Sequence, residues 1–249
     1  MDDSQSPGMI RDLNDAVWRY VVDVWGWKFF APAAVLAGVG VVVLIETSSP
    51  VGFVAALFWI FGGYGIVRSK MEKRFFEGLA RELGFHYIGR LAPTDATGNL
   101  FNRGYSRTLN HTLWGTYHGH PMRFFQYHFA TGSGKHKHHH NFAVCEVTFD
   151  GLVPDMTVDP SSLLKDLNLE WPHQQRLSIQ KDFDETFEVH VNEHLKIEAF
   201  EIFTPEIIAE LIRPERRDYS FEFVGNKLYV MKKGQALNRA SFLALADTA

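Results

Sequence analysis

Two stretches without a charged side chain constrain this chain more than anything else in it. Residues 29–45 read FFAPAAVLAGVGVVVLI and residues 51–67 read VGFVAALFWIFGGYGIV, each 17 residues long. As helices rising about 1.5 Å per residue, each reaches roughly 25 Å, near the lower limit for a hydrocarbon core about 30 Å thick. Trp25, Trp27 and Lys28 extend the first run into the interface, where indole rings settle and a lysine stem reaches out to water. Between the runs, Glu46-Thr47-Ser48-Ser49-Pro50 is turn chemistry, with Pro50 suited to open the next helix. Residues 29–67 therefore read as an antiparallel transmembrane helical hairpin. Small residues such as Ala33, Ala37, Gly38, Gly62 and Gly63 permit close backbone approach. A hairpin buried in a water-soluble core would be expected to keep one polar edge, and these runs have none. A cleaved secretory signal fits poorly, because Met1-Asp2-Asp3 lacks a basic opening and one apolar run follows directly on the other.

Basic residues then set the sidedness. Arg11, Arg19 and Lys28 precede the hairpin and Arg68, Lys70, Lys73 and Arg74 follow it, whereas the connection has only Glu46. The positive-inside rule predicts a two-pass protein of the cytoplasmic (inner) membrane with both termini in the cytoplasm. Trp25, Trp27, Lys28, Arg68, Lys70, Lys73 and Arg74 are the expected membrane-surface residues, each basic one contributing on the order of 1 kcal/mol beside anionic headgroups. Residues 1–28 form an N-terminal amphipathic or interfacial segment with Ile10, Leu13, Val17, Val21 and Val24 on one stripe. Residues 68–84 form a juxtamembrane helix with Met71, Phe75, Leu79 and Leu83 four apart and Gly84 as its stop.

From residue 85 to 249 the pattern shortens to alternating, aromatic-rich segments. Strands are predicted over 111–118, 122–131, 141–149, 183–191, 219–224 and 227–231. Gly119-His120 would turn the first pair and Gly225-Asn226 the last. Helices are predicted over 161–167, 205–212 and 237–246, with Thr204 capping the second, Pro205 at its first position and Pro214 beyond its end. Strands with interspersed helices make this an α+β domain built on an antiparallel sheet.

One set of residues carries a resemblance. Phe183-Asp184-Glu185-Thr186-Phe187-Glu188-Val189, Ala199-Phe200-Glu201-Ile202-Phe203-Thr204-Pro205, Leu211, and Tyr219-Ser220-Phe221 through Asn226-Lys227-Leu228-Tyr229-Val230 follow one another near the C-terminus. They resemble a bacterial family of membrane-anchored proteins of unknown function, domain-of-unknown-function family 3137. Here Phe203 stands for that family's leucine and Asp184 for its glutamate, swaps that keep the pattern. The resemblance implies membrane location and an anchored soluble domain, and it implies no catalytic residues.

Chemistry has to be sought in the remaining polar groups. Lys135-His136-Lys137-His138-His139-His140, after Gly132-Ser133-Gly134, reads as a hairpin tip. Neutral imidazoles are ligands for zinc, nickel or copper, so His136, His138, His139 and His140 are candidate metal ligands, with His118 and His120 a second group near His128. Lys135 and Lys137 repel a cation, and no cysteine or carboxylate is close in sequence, so a solvated polar loop is the simpler expectation. Glu193, His194 and Lys196, and the cluster Asp182, Asp184 and Glu185, read as connections rather than as acid–base machinery. Cys145, the single cysteine, alternates with Ala143 and Val147 as a buried thiol and excludes an intrachain disulfide.

A formal net charge of −4 leaves no basic excess for a phosphate backbone, so nucleic acid is not an expected partner. No phosphate-binding loop, H-E-x-x-H or G-x-S-x-G motif is present, and no small-molecule substrate is identifiable. The chain is thus expected to be a membrane-tethered interaction or scaffold domain without catalytic residues, its partners being the lipid bilayer and a protein or a second copy of itself. Two alternatives stand: a metal- or pH-responsive membrane protein using the loop His136–His140, with a weakly held divalent transition metal as its cofactor, and a membrane-bound enzyme of unknown reaction.

Overall fold

The computed structural model describes residues 12–47, 51–160 and 174–249. They fall into two units: the described residues up to Leu79 with Leu237–Arg239, and Ala80–Ala236 with Ala240–Ala249.

The first unit is helical. α1 (Leu13–Arg19) passes into a π-helical turn (Tyr20–Trp25) and then into α2 (Gly26–Thr47), followed by α3 (Val51–Leu83). Leu13, Val17 and Val21, four residues apart, are buried, while Trp18 on another face is exposed. The Leu13 amide donates to the Leu237 carbonyl at 3.0 Å, and the Asp12 carboxylate accepts the Asp15 amide at 3.2 Å, so two of the orphan donors at the entry to α1 are satisfied. In α2 the span Gly26–Ile45 is long and apolar enough to cross a membrane, and only 12% of it is buried. Val35, Val39, Val42 and Ile45 all face outward, the reverse of a helix in a soluble core.

The second apolar run forms the beginning of α3, with Leu57, Phe58, Phe61 and Ile66 exposed. That helix continues without a break through Arg68, Lys70 and Lys73 to Leu83, 33 residues in all. From Val67 onward its character changes, and Val67, Met71, Phe75, Phe76 and Leu79 are buried. Among the described residues one helix, α2, meets the length and hydropathy of a membrane span; the turn expected at Ser48–Pro50 lies outside the described residues.

The second unit is α+β, with a seven-stranded antiparallel sheet among its described residues: β1 (His86–Leu91), β2 (Tyr105–Tyr117), β3 (His120–Thr131), β4 (His138–Pro160), β5 (Gln174–Leu177), β6 (Phe187–Asn192) and β7 (Tyr219–Lys233). The strand order is β1-β2-β3-β4-β6-β5, with β7 paired to β4. β4 is 23 residues long and organises the rest. Residues 138–147 pair with β3 and residues 156–160 with β6, and β7 runs opposite residues 142–158.

Several sequence expectations change here. Gly225-Asn226 is no hairpin: β7 is one continuous strand. The register between β4 and β7 shifts between Thr148 and Met156, and the extra residues lie on β4: Thr148 to Val153 stands opposite only Lys227 to Gly225, so β4 bulges there, with Gly151 at φ +101° in the bulge and Gly225 at φ +62° facing it. Residues 183 and 184 of the segment expected as a strand belong instead to α4 (Lys181–Asp184), and β6 begins only at Phe187. β1 and α5 (Lys196–Ile202) were not expected from sequence. The turn between β2 and β3 is His118-Gly119, at φ +47° and +88°, one residue earlier than read. α6 (Pro205–Leu211) and α7 (Arg239–Thr248) do form, with the Thr204 hydroxyl accepting the Ile207 amide as its cap. The helix expected at 161–167 lies outside the described residues.

The core sits where the 93–104 connection, with its two short 3-10 turns, folds over one face of β3, β4 and β7. Phe101 is its centre: its ring meets Tyr127 and Tyr229 edge-on, each at 5.0 Å, and Phe125 at 5.8 Å. On the opposite face Phe124 packs on Phe242 of α7 at 4.4 Å and on Phe85 at 5.8 Å. We expect Phe101→Ala to lower the stability of the detergent-solubilised chain by about 3–5 kcal/mol in equilibrium denaturation, because three aromatic neighbours lose their common contact.

Candidate functional site

Three arrangements in the second unit gather polar chemistry. The first is an open groove of about 550 Å³ lined by Ile88, Leu91, Trp114, Pro121, Met122 and Arg123 among others. Ile88 and Trp114 remain 47% and 49% exposed, unusual for large apolar side chains on paired strands. The Trp114 indole lies against His86 at 4.8 Å, a consequence of the β1–β2 register that sets these two residues opposite each other. At the groove wall the Arg123 guanidinium bonds the Glu146 carboxylate and the Asp95 carbonyl, and the Lys227 ammonium lies 3.2 Å from the same carboxylate. Two cations around one buried carboxylate make a fixed polar rim beside an apolar floor.

The second is a row of polar side chains on β4 beyond the register shift. Thr157 lies opposite His190 of β6 and Glu222 of β7, while Asp159 lies opposite Glu188 and accepts the Ser220 hydroxyl. Thr157, Asp159, Ser220 and Glu222 are all buried. Glu222 accepts the Asn99 amide, yet its Oε2 and the Thr157 hydroxyl have no hydrogen-bond partner among the described residues. Burial pushes the Asp159 carboxyl up to about 8, reinforced by Glu188 and Glu222 and opposed by the Ser220 hydroxyl. Burial likewise lifts Glu222 to about 7 against the pull of the Asn99 and Leu100 amides. Sequence reading missed both, since each sits in an ordinary-looking strand and only cross-strand register unites them.

Ordinary carboxyls in an unfolded chain ionise near pH 4. Both folded values lie above that, so the stability these groups contribute is whole below about pH 4 and is lost as pH climbs through about 7 and 8. The melting temperature of the solubilised chain should therefore fall between about pH 4 and 8, and Asp159→Asn with Glu222→Gln should flatten that slope, as read by differential scanning calorimetry.

The third is the histidines. His136 ends a short 3-10 turn and is exposed, whereas His138, His139 and His140 already belong to β4. Strand alternation sends neighbours to opposite faces, so His139 and His140 diverge. His140 bonds the Thr131 hydroxyl at 2.8 Å and lies against Phe129 at 4.8 Å, and burial lowers its pKa. His139 Nδ1 instead lies 3.3 Å from His128 Nε2 across the ladder. His118 and His120 flank the β2–β3 turn, both exposed, and His118 meets Tyr117 edge-on at 4.3 Å. Eight residue steps along β3 take His120 to His128, roughly 26 Å of extended chain, so the two groups do not merge. Among the described residues no three His, Cys, Asp or Glu side chains group as metal ligands.

Remaining candidates resolve simply. Cys145 is buried with its thiol pushed well up by burial and its Sγ 4.0 Å from the Met122 sulfur. Asp184 accepts the Ser178 hydroxyl and the Ile179 amide, a structural role for the acidic cluster. Glu193 and His194 are exposed on a 3-10 turn. Of the membrane-surface set, Trp27, Lys28, Lys70, Lys73 and Arg74 are exposed, and Arg68 and Lys73 pair with Glu72 and Glu77 one helical turn on. Trp25 closes the π-helical turn that precedes α2.

No family model matches the chain, and no curated protein matches it. Among solved structures, the crystal structure of the mycobacterial trehalose monomycolate transport factor A, TtfA, is similar, with a TM-score of 0.53 over 71% of this chain and 89% of that chain. At 12% sequence identity the likeness is one of fold.

Proposed function

We propose that this chain is a membrane-tethered accessory protein whose α+β unit, on the cytoplasmic side, docks a partner polypeptide beside the bilayer. The outward-facing apolar side chains of α2 carry the reading, since a helix with 12% of its span buried has lipid as its natural solvent. The second apolar run, in α3, supports a two-pass anchor of the inner membrane with both termini cytoplasmic, in keeping with Arg68, Lys70, Lys73 and Arg74 beyond it. Fold similarity to a transport factor is consistent with an accessory role in a membrane process, as is the C-terminal resemblance to membrane-anchored family 3137.

The docking surface in this reading is the groove at Ile88 and Trp114. β1 stands at one end of the strand order, so its outer edge offers backbone groups to an extended segment, while the groove receives an apolar side chain. The tether supplies the rest, because confinement at the membrane raises effective concentration without a strong interface.

In fractionated cells the intact chain should stay with membranes through alkaline carbonate extraction. Leu36→Arg with Val39→Arg, each costing about 2.5–3.5 kcal/mol at a helix centre, should release or destabilise it. Native protein in the high-speed supernatant without detergent would overturn the tether. For the groove, a photoreactive residue at position 88 should give one discrete adduct that Trp114→Ala reduces at least tenfold, about 1.4 kcal/mol of a typical aromatic anchor. A diffuse smear unchanged by Trp114→Ala would remove the groove from the proposal.

A further inference from the structure

We infer that His128 and His139 together form a binding site for one zinc-like divalent transition-metal ion on the β3–β4 ladder. In the register of these strands Asn141 lies opposite His128 and His139 opposite Ala130, so the two histidines are diagonal neighbours on one face. Their facing nitrogens, His128 Nε2 and His139 Nδ1, stand 3.3 Å apart. Two nitrogens bound to tetrahedral zinc at about 2.0–2.1 Å stand about 3.3–3.4 Å from each other, so the pair already has the bite of two zinc ligands.

The surroundings orient the first ligand. His128 Nδ1 lies 3.1 Å from the Asn141 side-chain oxygen, which can only accept. That contact places the His128 proton on Nδ1 and leaves the Nε2 lone pair turned toward His139, the arrangement in which an outer acceptor fixes a metal-binding imidazole. With no metal, His139 donates its Nδ1 proton to that lone pair. On binding, the His139 proton sits on Nε2 instead, and the ion takes the place of the shared hydrogen.

Both ligands come from paired strands, unlike the exposed His136 turn, so the bite is held by the ladder. Two of the cations on this part of the sheet are engaged elsewhere: Lys137 lies over the Tyr105 ring at 5.4 Å, and Lys232 pairs with Asp218 and lies over Tyr219. His140, on the other face, is held by Thr131. Two protein ligands leave the remaining positions to water or a small anion, which makes the site open and exchangeable rather than structural. The inference is independent of the membrane-tether reading and of the groove.

Calorimetric titration of the full chain, purified in detergent without a polyhistidine tag, with ZnCl2 tests it, and Co2+ serves as a spectroscopic probe. One equivalent should bind, and Co2+ should give the intense visible bands of a tetrahedral site. His128→Gln and His139→Gln should each weaken binding at least about tenfold, and Asn141→Leu by about tenfold at unchanged stoichiometry. His136→Gln and His138→Gln should leave it unchanged. His139 is exposed, so His139→Gln reads the site even where a change at His128 disturbs folding. The inference falls if the wild-type chain shows no saturable binding, if the one-equivalent site survives in the His128→Gln, His139→Gln double variant, or if His136→Gln alone abolishes it.

Discussion

The architecture of the second unit depends on the length of β4. Most strands are short enough to have one partner per edge, but this one, 23 residues long, pairs one edge with β3 and then β6, and pairs the other with β7. Three of the six strand pairings of the sheet therefore run through a single backbone. The register shift between Thr148 and Met156 is the cost of that length, since a twisted strand of such extent cannot stay in register with three partners without absorbing a bulge.

The same shift separates two environments. Before it, the face of β4 under the 93–104 connection holds Phe142 and Val144 against Phe101, Tyr127 and Tyr229. After it, Thr157 and Asp159 meet Ser220 and Glu222, and Glu188 and His190 border them. An apolar half needs no partners, whereas the polar half must satisfy or neutralise its groups. Lifted carboxyl pKa values are the form that neutralisation takes. Glu146 solves the same problem differently, because two cations reach it and it stays paired.

The first unit follows the opposite logic. Most of its large apolar side chains point outward over α2 and the start of α3, and a buried stripe runs from Val67 through Met71 and Phe75 to Leu79. One uninterrupted helix thus changes solvent along its length, from residues suited to hydrocarbon to a stripe suited to packing.

The apolar runs, the basic residues that flank them, the α+β class, the capped helix at Thr204 and the buried Cys145 were legible in the sequence, because each depends on local periodicity or on a short motif. Gly225-Asn226 misled, since the same dipeptide serves a turn or a strand segment facing a partner's bulge, and only the partner strand chooses between them. The His128–His139 pair and the Asp159–Glu222 row were illegible for a related reason. Their members lie 11 and 63 residues apart. Sequence sets which side chains alternate along each strand, but which of them face one another is decided by register, and register is a property of the assembled sheet.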